Sequence, residues 1–599
     1  MLSATTTKRD AKSYISRFRP ASIKNTSTNP AEASTAPWPV NVALVKVRAL
    51  QDVKDVTLQG IARTLSQLNR LGLSPIVVVD CELEDNGSTR QDKLSWRDEL
   101  VEQTDRMVAA LQKEDSSRAS RLDYVLGIKS ARQDTQTAPQ GYQAVQVQHP
   151  DVLLGLLKRG NIPVIPPIAY TLETQKMQKV STDDVVLALT RHFAKKEDES
   201  VNDQITKPSA SSVTLDKIVL LDPLGGLPSA HRQDSSHVFI NLDQEYDDVR
   251  HELLSAHALQ SDIINAPNES IVKGRNFELT TLDDSAGPVS LHGDLLSAPT
   301  NRNVQNLDLL HKALALLPAS ASAMLTTPVE AATFSRQEQA ATTDLGVITR
   351  RPRNPLIYNL LTDKGLVSSS LPAARLDIDS LSGSQFAAQP NRATFVKKGM
   401  PLTMIPDPRQ HVWEPPHPAR PPLRLDDAQI DLNRLVNLIE DSFNRPLNLE
   451  HYMRRIRNNL AGIIVAGEYE GGAILTWELP PGVPDDGSES SRRRMVPYLD
   501  KFAVLKRSQG AGGVADIVFS AMVRSCFPQG VCWRSRKDNP VNKWYFERSA
   551  GTYKIPGTNW TSFWTTDGLY ENKERFLDYV EVCREVKPSW ADQHKKAAD

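Results

Sequence analysis

The residues with the clearest chemical potential lie near the C-terminal end of this 599-residue chain. A strand-like apolar tract at 498–504 is followed by the turn R-S-Q-G-A-G-G at 507–513 and by an apolar segment with helical spacing. A strand-to-helix turn directs consecutive backbone N–H groups to one point, which is how proteins hold a pyrophosphate. The pattern predicts an acyl-CoA site at Gln509, Gly510, Ala511, Gly512 and Gly513. The alternative is an ordinary turn.

Two tracts make this prediction more specific. Y-L-D-K-F at 498–502 and W-R-S-R-x-x-N-P-x-N-x-W-Y-F at 533–546 resemble the acetyltransferase domain of N-acetylglutamate synthase, of the type found in fungi and animals. The resemblance covers residues 425–590. It implies a GNAT fold that transfers the acetyl group of acetyl-CoA to L-glutamate, the first step of arginine biosynthesis. Two alternatives stay open: acetylation of another amine, and a protein without turnover that regulates acetylglutamate kinase.

The cations of the second tract fit a dicarboxylate substrate. Arginine binds carboxylates in a bidentate manner that lysine cannot reproduce. Arg534 and Arg536 are two residues apart, so on a strand they share one face. The alternative is a pair of surface salt bridges. The resemblance places four more residues around glutamate: Arg445, Lys501 and Asn539 through their side chains, and Leu499 through its backbone.

The strand before the turn is expected to stabilise the oxyanion. Backbone amides beside a thioester can hold the negative charge of the tetrahedral intermediate without any side chain. We predict that these amides belong to Phe502, Ala503 and Val504.

Proton transfer needs an acid and a base. The resemblance puts Tyr545 near the sulfur, where a phenol can protonate the departing thiolate. The alternative is a structural tyrosine in the core. The sequence does not choose a base, and water leading from Asp500 or from Asp538 is possible.

The elements that position these residues follow from hydrophobic periodicity. Residues 430–443 have the pattern of an amphipathic helix, and residues 462–468 and 472–478 that of two strands. Prolines crowd residues 401–424, which we predict to be a linker in front of the transferase domain at 425–590.

The N-terminal half has an α/β pattern. Strand-length apolar runs at 41–47 and 75–80 flank a helical pattern at 57–71, which predicts a parallel sheet. The stretch at 112–145 is predicted to be loop or a mobile insertion. Together with the C-terminal match, residues 40–400 resemble an amino-acid-kinase domain. Kinases of that fold hold ATP with a lysine and a Gly-rich loop, but no glycine follows Lys46 before Ala49.

The resemblance therefore implies a regulatory and oligomerising domain rather than a kinase. We expect no ATP site there. L-Arginine is the expected inhibitor, and a homo-oligomer and a complex with acetylglutamate kinase are the expected assemblies.

Composition narrows the remaining possibilities. With 71 basic and 72 acidic residues and a net charge of −1, the chain lacks the basic excess typical of nucleic-acid binding. Its four cysteines form no C-x-x-C pair, so neither a metal site nor a disulfide framework is expected. Residues 1–35 combine basic and hydroxyl side chains and resemble a mitochondrial transit peptide, with a disordered tail as the alternative. We expect a matrix protein that does not enter membranes.

Overall fold

A computed structural model describes residues 40–82, 90–114, 118–129, 144–194, 213–229, 236–265, 294–333, 355–362, 393–417, 423–509 and 513–591. Contacts divide the chain into two compact units, the second of which begins, among the described residues, at Gly399. The predicted transit peptide lies outside the described residues. Within these ranges, none of the helices has the length and apolar character needed to cross a membrane.

The first unit is built around a largely parallel sheet. Its strands are β1 (Val40–Arg48), β2 (Leu73–Asp80), β3 (Ala119–Arg121), β4 (Leu126–Lys129), β5 (Ala144–Val147), β6 (Ile162–Ile165), β7 (Ile168–Thr171), β8 (Met177–Lys179), β9 (Val213–Leu221), β10 (Phe239–Asn241), β11 (Ser322–Thr326) and β12 (Thr394–Lys397). Eight of them pair in the order β10-β12-β11-β9-β1-β2-β6-β3, and the other four form the sheet β5-β4-β7-β8. In the larger sheet only the pair β11–β12 is antiparallel. The predicted parallel sheet is confirmed.

Helices cover both faces of this sheet. They are α1 (Asp55–Arg70), α2 (Arg90–Lys113), α3 (Pro150–Lys158), α4 (Thr182–Ala194), α5 (Leu242–Asn265), α6 (Asp294–Leu316), α7 (Pro328–Ala332) and α8 (Pro355–Thr362). Val42 and Leu44 of β1 pack with α4, α5 and α6. Ala43 and Val45 pack with α1, α2, α7 and α8. Because β1 is buried on both faces, its sequence is a nearly continuous apolar run, and this run predicts a strand.

The segment predicted as loop at 112–145 contains regular structure. Strands β3 and β4 lie within it, although residues 115–117 and 130–143 are outside the described part. The loop prediction was therefore wrong for residues 112–113, 119–121, 126–129 and 144–145. Strands of three or four residues between polar neighbours are too short to show a two-residue period.

A buried cluster of charges closes the carboxyl ends of β1, β2 and β9. Lys46 Nζ lies 2.6 Å from Asp183 Oδ1 and 3.1 Å from Asp80 Oδ2. Arg48 lies 3.4 Å from Asp80 and 3.2 Å from Asp222, whose side chain is almost fully buried. In parallel α/β sheets this edge is where ligands usually bind. Here the arginine that follows Lys46 occupies it with its own ion pairs.

We predict that Arg48→Met loosens this edge. Removing one partner of a buried ion pair leaves an uncompensated charge and costs about 3 kcal/mol. Hydrogen exchange of β1 and β9 peptides should then lose about 100-fold in protection. Arg63→Met is the matched control, because Arg63 pairs with Glu114 at the surface and is 57% exposed. Unchanged protection in Arg48→Met would contradict the structural importance of this cluster.

The second unit is a mostly antiparallel sheet with helices around it. Its strands are β13 (Leu402–Ile405), β14 (Leu460–Ala466), β15 (Gly471–Glu478), β16 (Val496–Val504), β17 (Cys532–Arg536), β18 (Gly551–Lys554) and β19 (Trp560–Trp564), in the order β13-β14-β15-β16-β17-β19-β18. Its helices are α9 (Leu432–Phe443), α10 (Leu449–Ile456), α11 (Glu489–Arg494), α12 (Val514–Ala521), α13 (Asn542–Arg548) and α14 (Lys573–Glu585). The central neighbours β16 and β17 are parallel.

The proline-rich stretch at 401–424 differs from the predicted linker. Strand β13 within it pairs with β14. Trp413 is buried against Gly462, where an added Cβ would lie 2.3 Å from the indole, and its Nε1–H donates to the Pro406 carbonyl at 2.8 Å. Prolines do not prevent pairing at the edge of a sheet, so this stretch forms part of the second unit.

Candidate active site

Strand β16 carries one more residue than its neighbour β15. Ile474 pairs with Lys501 and Leu475 pairs with Leu499, so Asp500 has no counterpart. Such a bulge interrupts the alternation of side chains along a strand. Asp500 and Lys501 consequently lie on one face, with 2.9 Å between Lys501 Nζ and Asp500 Oδ2. Two consecutive charged side chains are thereby brought to the same side of a buried strand.

The edge of β16 that faces β17 opens beyond the bulge. Within the described residues, the two strands pair only at Tyr498 and Cys532, although β16 continues to Val504 and β17 to Arg536. The strands therefore diverge and leave a gap beside the residues that the sequence singled out.

The three amides predicted to stabilise the oxyanion are not equivalent. Val504 N–H points away from β15, since it donates to Ser442 Oγ at 3.1 Å. N–H directions alternate along a strand, so the Ala503 amide faces β15 and the Phe502 amide faces the gap. Phe502 is thus the residue whose backbone donor is best directed for this role.

The turn after β16 includes a backbone conformation that favours glycine. Gln509 Nε2–H donates to the Val504 carbonyl at 3.0 Å, which ties the turn to the end of the strand. Gly513 has φ +71° and forms the N-cap of α12. Gly510, Ala511 and Gly512 lie outside the described residues. The described part places a helix N-terminus next to the open edge of β16.

Lys501 and Arg445 meet at one indole ring. Lys501 Nζ lies 5.4 Å from the Trp590 ring centre and 4.9 Å from that of Tyr452. The Arg445 guanidinium lies 5.2 Å from the Trp590 ring. Trp590 is held there by backbone bonds between residues 446–448 and 589–591, including Asn448 N–H to the Ser589 carbonyl at 2.9 Å. The structure therefore brings together two of the cations predicted to bind the substrate.

Arg534 makes contacts that its sequence context did not suggest. Its guanidinium donates to the carbonyls of Cys583 at 2.8 Å and Val586 at 2.5 Å, and stacks 4.1 Å from the Trp560 ring. These carbonyls belong to the end of α14, where a cation is favoured. Arg534 thus anchors the last helix to β17. Its charge is also close enough to lower the pKa of Lys501, in addition to the larger effect of burial.

Arg536 and Asn539 lie at the end of β17. Arg536 Nε lies 3.2 Å from Asp538 Oδ1, and its side chain is 42% exposed. Asn539 closes a turn, accepting from Val541 N–H at 3.1 Å and donating to Ser535 Oγ at 2.9 Å. Arg536 and Arg534 share a strand face, as their spacing predicts, but Arg536 lies nearer to solvent.

Tyr545 lies in an aromatic cluster under β16. Its ring centre is 5.4 Å from that of Trp533 and 5.5 Å from that of Trp544. Trp544 stacks in turn on Phe502 at 5.7 Å, which connects α13 to the strand beside the gap. Burial raises the pKa of Tyr545 above its ordinary value, so the phenol stays protonated at neutral and mildly alkaline pH. A protonated phenol is the form that can donate.

Sequence reasoning missed the network around Asp500. The carboxylate accepts from Tyr452 Oη at 2.7 Å and forms ion pairs with Arg455 and Lys501. Arg455 also lies 3.1 Å from Glu478. Burial alone would raise the pKa of Asp500, but the charges of Lys501 and Arg455 outweigh it and hold the pKa well below its usual range. Since the network joins α10, β15 and β16, which are separate in sequence, no local sequence pattern predicts it.

Comparisons with known proteins identify the family. The family described as "NAT, N-acetyltransferase, of N-acetylglutamate synthase" matches residues 423–586. The mitochondrial amino-acid acetyltransferase of Ajellomyces capsulatus is 44% identical, over 99% of this chain and 94% of that protein. The Aspergillus oryzae protein of the same name is 48% identical, over 92% and 77%. A solved N-acetylglutamate synthase from Neisseria gonorrhoeae, complexed with coenzyme A and N-acetyl-glutamate, is 11% identical over 93% of this chain and 97% of its own, with a TM-score of 0.42.

The family match and the relatives define an N-acetyltransferase, in which a largely parallel-sheet unit precedes the unit that carries the matched residues. Sequence identity of 44–48% over nearly the whole chain then fixes the family. The chain belongs to the mitochondrial amino-acid acetyltransferases.

Proposed function

We propose that the second unit transfers the acetyl group of acetyl-CoA to the amine of L-glutamate and releases N-acetyl-L-glutamate and CoA. The observation that carries this proposal is the gap between β16 and β17, with the Phe502 amide on its edge and Lys501 beside it. A thioester in this gap would lie between the Phe502 amide and the two cations Lys501 and Arg445. Both features suit acyl transfer to a carboxylate-bearing amine.

The CoA moiety lies along the open edge of β16 in this proposal. We place its pyrophosphate at residues 509–513, ahead of α12, because the dipole at a helix N-terminus favours anions. The thioester carbonyl accepts a hydrogen bond from the Phe502 amide. That bond strengthens as the oxygen acquires negative charge in the tetrahedral intermediate.

Glutamate lies on the Lys501 side of the gap. Its carboxylates contact Lys501, Arg445 and Arg536, while its amine is held by the backbone of Leu499 and by Asn539. Arg534 supports the same region through its contact with the end of α14 and through its charge. Lysine and arginine together supply the positive potential that two carboxylates require.

Tyr545 protonates the departing thiolate in this mechanism. A buried phenol with a raised pKa retains its proton until the sulfur acquires charge. Asp500 is unsuited to be the base: its lowered pKa and its three partners leave it with little tendency to accept a proton. The amine loses its proton to water, and we assign no side chain as the base.

Release of the CoA thiol tests the proposed reaction directly. Purified protein with acetyl-CoA should release CoA with L-glutamate and much more slowly with aspartate, glutamine, lysine or ornithine. Release with another amine but not with glutamate would replace the proposed substrate. No release with any amine would indicate a regulatory partner of acetylglutamate kinase without turnover.

We predict that Tyr545→Phe lowers kcat by about 100-fold, because water must then protonate the thiolate. KM for glutamate should change little, since the ring and its aromatic neighbours remain. Trp544→Phe is a matched control for packing near Phe502. A kcat of Tyr545→Phe equal to that of the unaltered protein would show that the hydroxyl only contributes to the core.

For the first unit we propose a regulatory role in the mitochondrial matrix. L-Arginine, the expected end product of this route, binds within residues 40–400, and the same unit mediates self-association and contact with acetylglutamate kinase. What supports a regulatory role over phosphoryl transfer is a parallel sheet whose carboxyl edge is occupied by the ion pairs of Lys46 and Arg48. An effector site can persist in such a unit without phosphoryl transfer.

Arginine and glutamate should therefore weaken each other's binding. Coupling between two sites is reciprocal, so the factor by which arginine raises the glutamate Kd equals the factor by which glutamate raises the arginine Kd. Calorimetry on the full chain, with each ligand titrated in the presence and absence of the other, measures both factors. Arginine binding that leaves glutamate affinity unchanged would contradict regulation of this kind.

A further inference from the structure

The proposed reaction leaves Asp500 without a task, although its placement is costly. Its side chain is only 2% exposed, and a buried carboxylate is unfavourable unless several donors satisfy it. Here the donors come from three directions: Tyr452 Oη at 2.7 Å, Arg455, and Lys501 Nζ at 2.9 Å. The bulge that creates this arrangement also interrupts the sheet. A purely structural role would be served as well by apolar residues in place of the whole set of charges.

The charges around Asp500 form a row that ends at the substrate side. Thr476 Oγ1 donates to Glu478 at 2.7 Å, and Arg455 connects Glu478 to Asp500. Lys501 is the last member. Among the described residues its ammonium makes hydrogen bonds to Asp500 alone, and the rings of Tyr452 and Trp590 enclose its flanks. Alternating signs let this row be buried, and they fix where the final ammonium can lie.

We propose that Asp500 is a positioning residue that keeps the Lys501 ammonium charged and directed at a carboxylate of the amino-acid substrate. This inference rests on the proposed function, in which Lys501 contacts glutamate. Asp500 touches neither substrate, and it acts through Lys501.

The electrostatic surroundings explain why Lys501 needs this partner. Burial lowers its pKa, and the positive charges of Arg455 on α10 and Arg534 on β17 lower it further. Arg445, across the Trp590 ring, adds positive potential, whereas Glu478 on β15 is paired with Arg455 and Tyr452 is a neutral phenol. Asp500 is the neighbour that raises the pKa of Lys501. Without its charge, the pKa of Lys501 would fall further below its ordinary value.

The variant Asp500→Asn tests this, because the amide keeps the size and loses the charge. KM for glutamate is measured from pH 7 to pH 9 for the variant and for the unaltered protein. The KM of the variant is divided by that of the unaltered protein at each pH, because this ratio cancels the titration of glutamate itself. The ratio should rise with pH, approaching tenfold per pH unit once Lys501 is largely neutral. KM for acetyl-CoA should show no such trend. A pH-independent ratio would overturn the proposal.

Two companion variants separate charge from packing. Asp500→Asn combined with Lys501→Arg should restore a flat ratio, because a guanidinium keeps its charge throughout this range. Tyr452→Phe removes a hydrogen bond to Asp500 without removing charge, so its ratio should also be flat. A rise with pH in either variant would count against the assignment.

A second measurement covers failure of Asp500→Asn to fold. In the unaltered protein carrying ¹⁵N-lysine, NMR should report the Lys501 amine as charged at pH 8, and a neutral amine at that pH would overturn the proposal. Failure of the proposed function itself gives a different result. The unaltered protein would then release no CoA with glutamate, whatever the state of Lys501.

Discussion

The second unit depends on the single extra residue in β16. With regular alternation, Asp500 and Lys501 would point to opposite faces, and one of the two charges would enter the apolar layer that holds Leu499 and Phe502. The bulge directs both charges to one side. Beyond Tyr498 the strand also separates from β17, and the Phe502 amide faces the resulting gap. One irregularity thus provides a backbone donor, a cation and the space between two strands.

Buried charge is handled differently in the two units. In the first, Lys46 and Arg48 are enclosed by Asp80, Asp183 and Asp222, and the cluster fills the edge of the sheet where a ligand would ordinarily bind. In the second, the row of charges ends at Lys501 beside a gap. Breaking either set is expected to be costly, since each carboxylate is largely removed from water. In our proposal, only the second set contacts a substrate.

The sequence predicted those features whose cause is local. The parallel sheet was predictable because β1 and β2 are buried on both faces and read as apolar runs. Features created by distant contacts were not predictable. Trp590 reaches Lys501 only after the chain has passed through α14, and nothing in the sequence shows that Arg534, which is expected at the substrate, also holds the carbonyls at the end of that helix. The bulge was not predictable for a related reason. One inserted residue changes which side chains share a face without changing the apolar character of the strand.

A crystal structure with N-acetyl-L-glutamate or a non-hydrolysable acetyl-CoA analogue that retains the carbonyl oxygen tests the central claim most directly. With the analogue, we predict that it enters the gap between β16 and β17 and that its carbonyl oxygen lies about 2.9 Å from the Phe502 nitrogen. With the product, a carboxylate should lie within hydrogen-bonding distance of Lys501 Nζ. An analogue bound away from this gap, or with its carbonyl directed away from β16, would contradict the account.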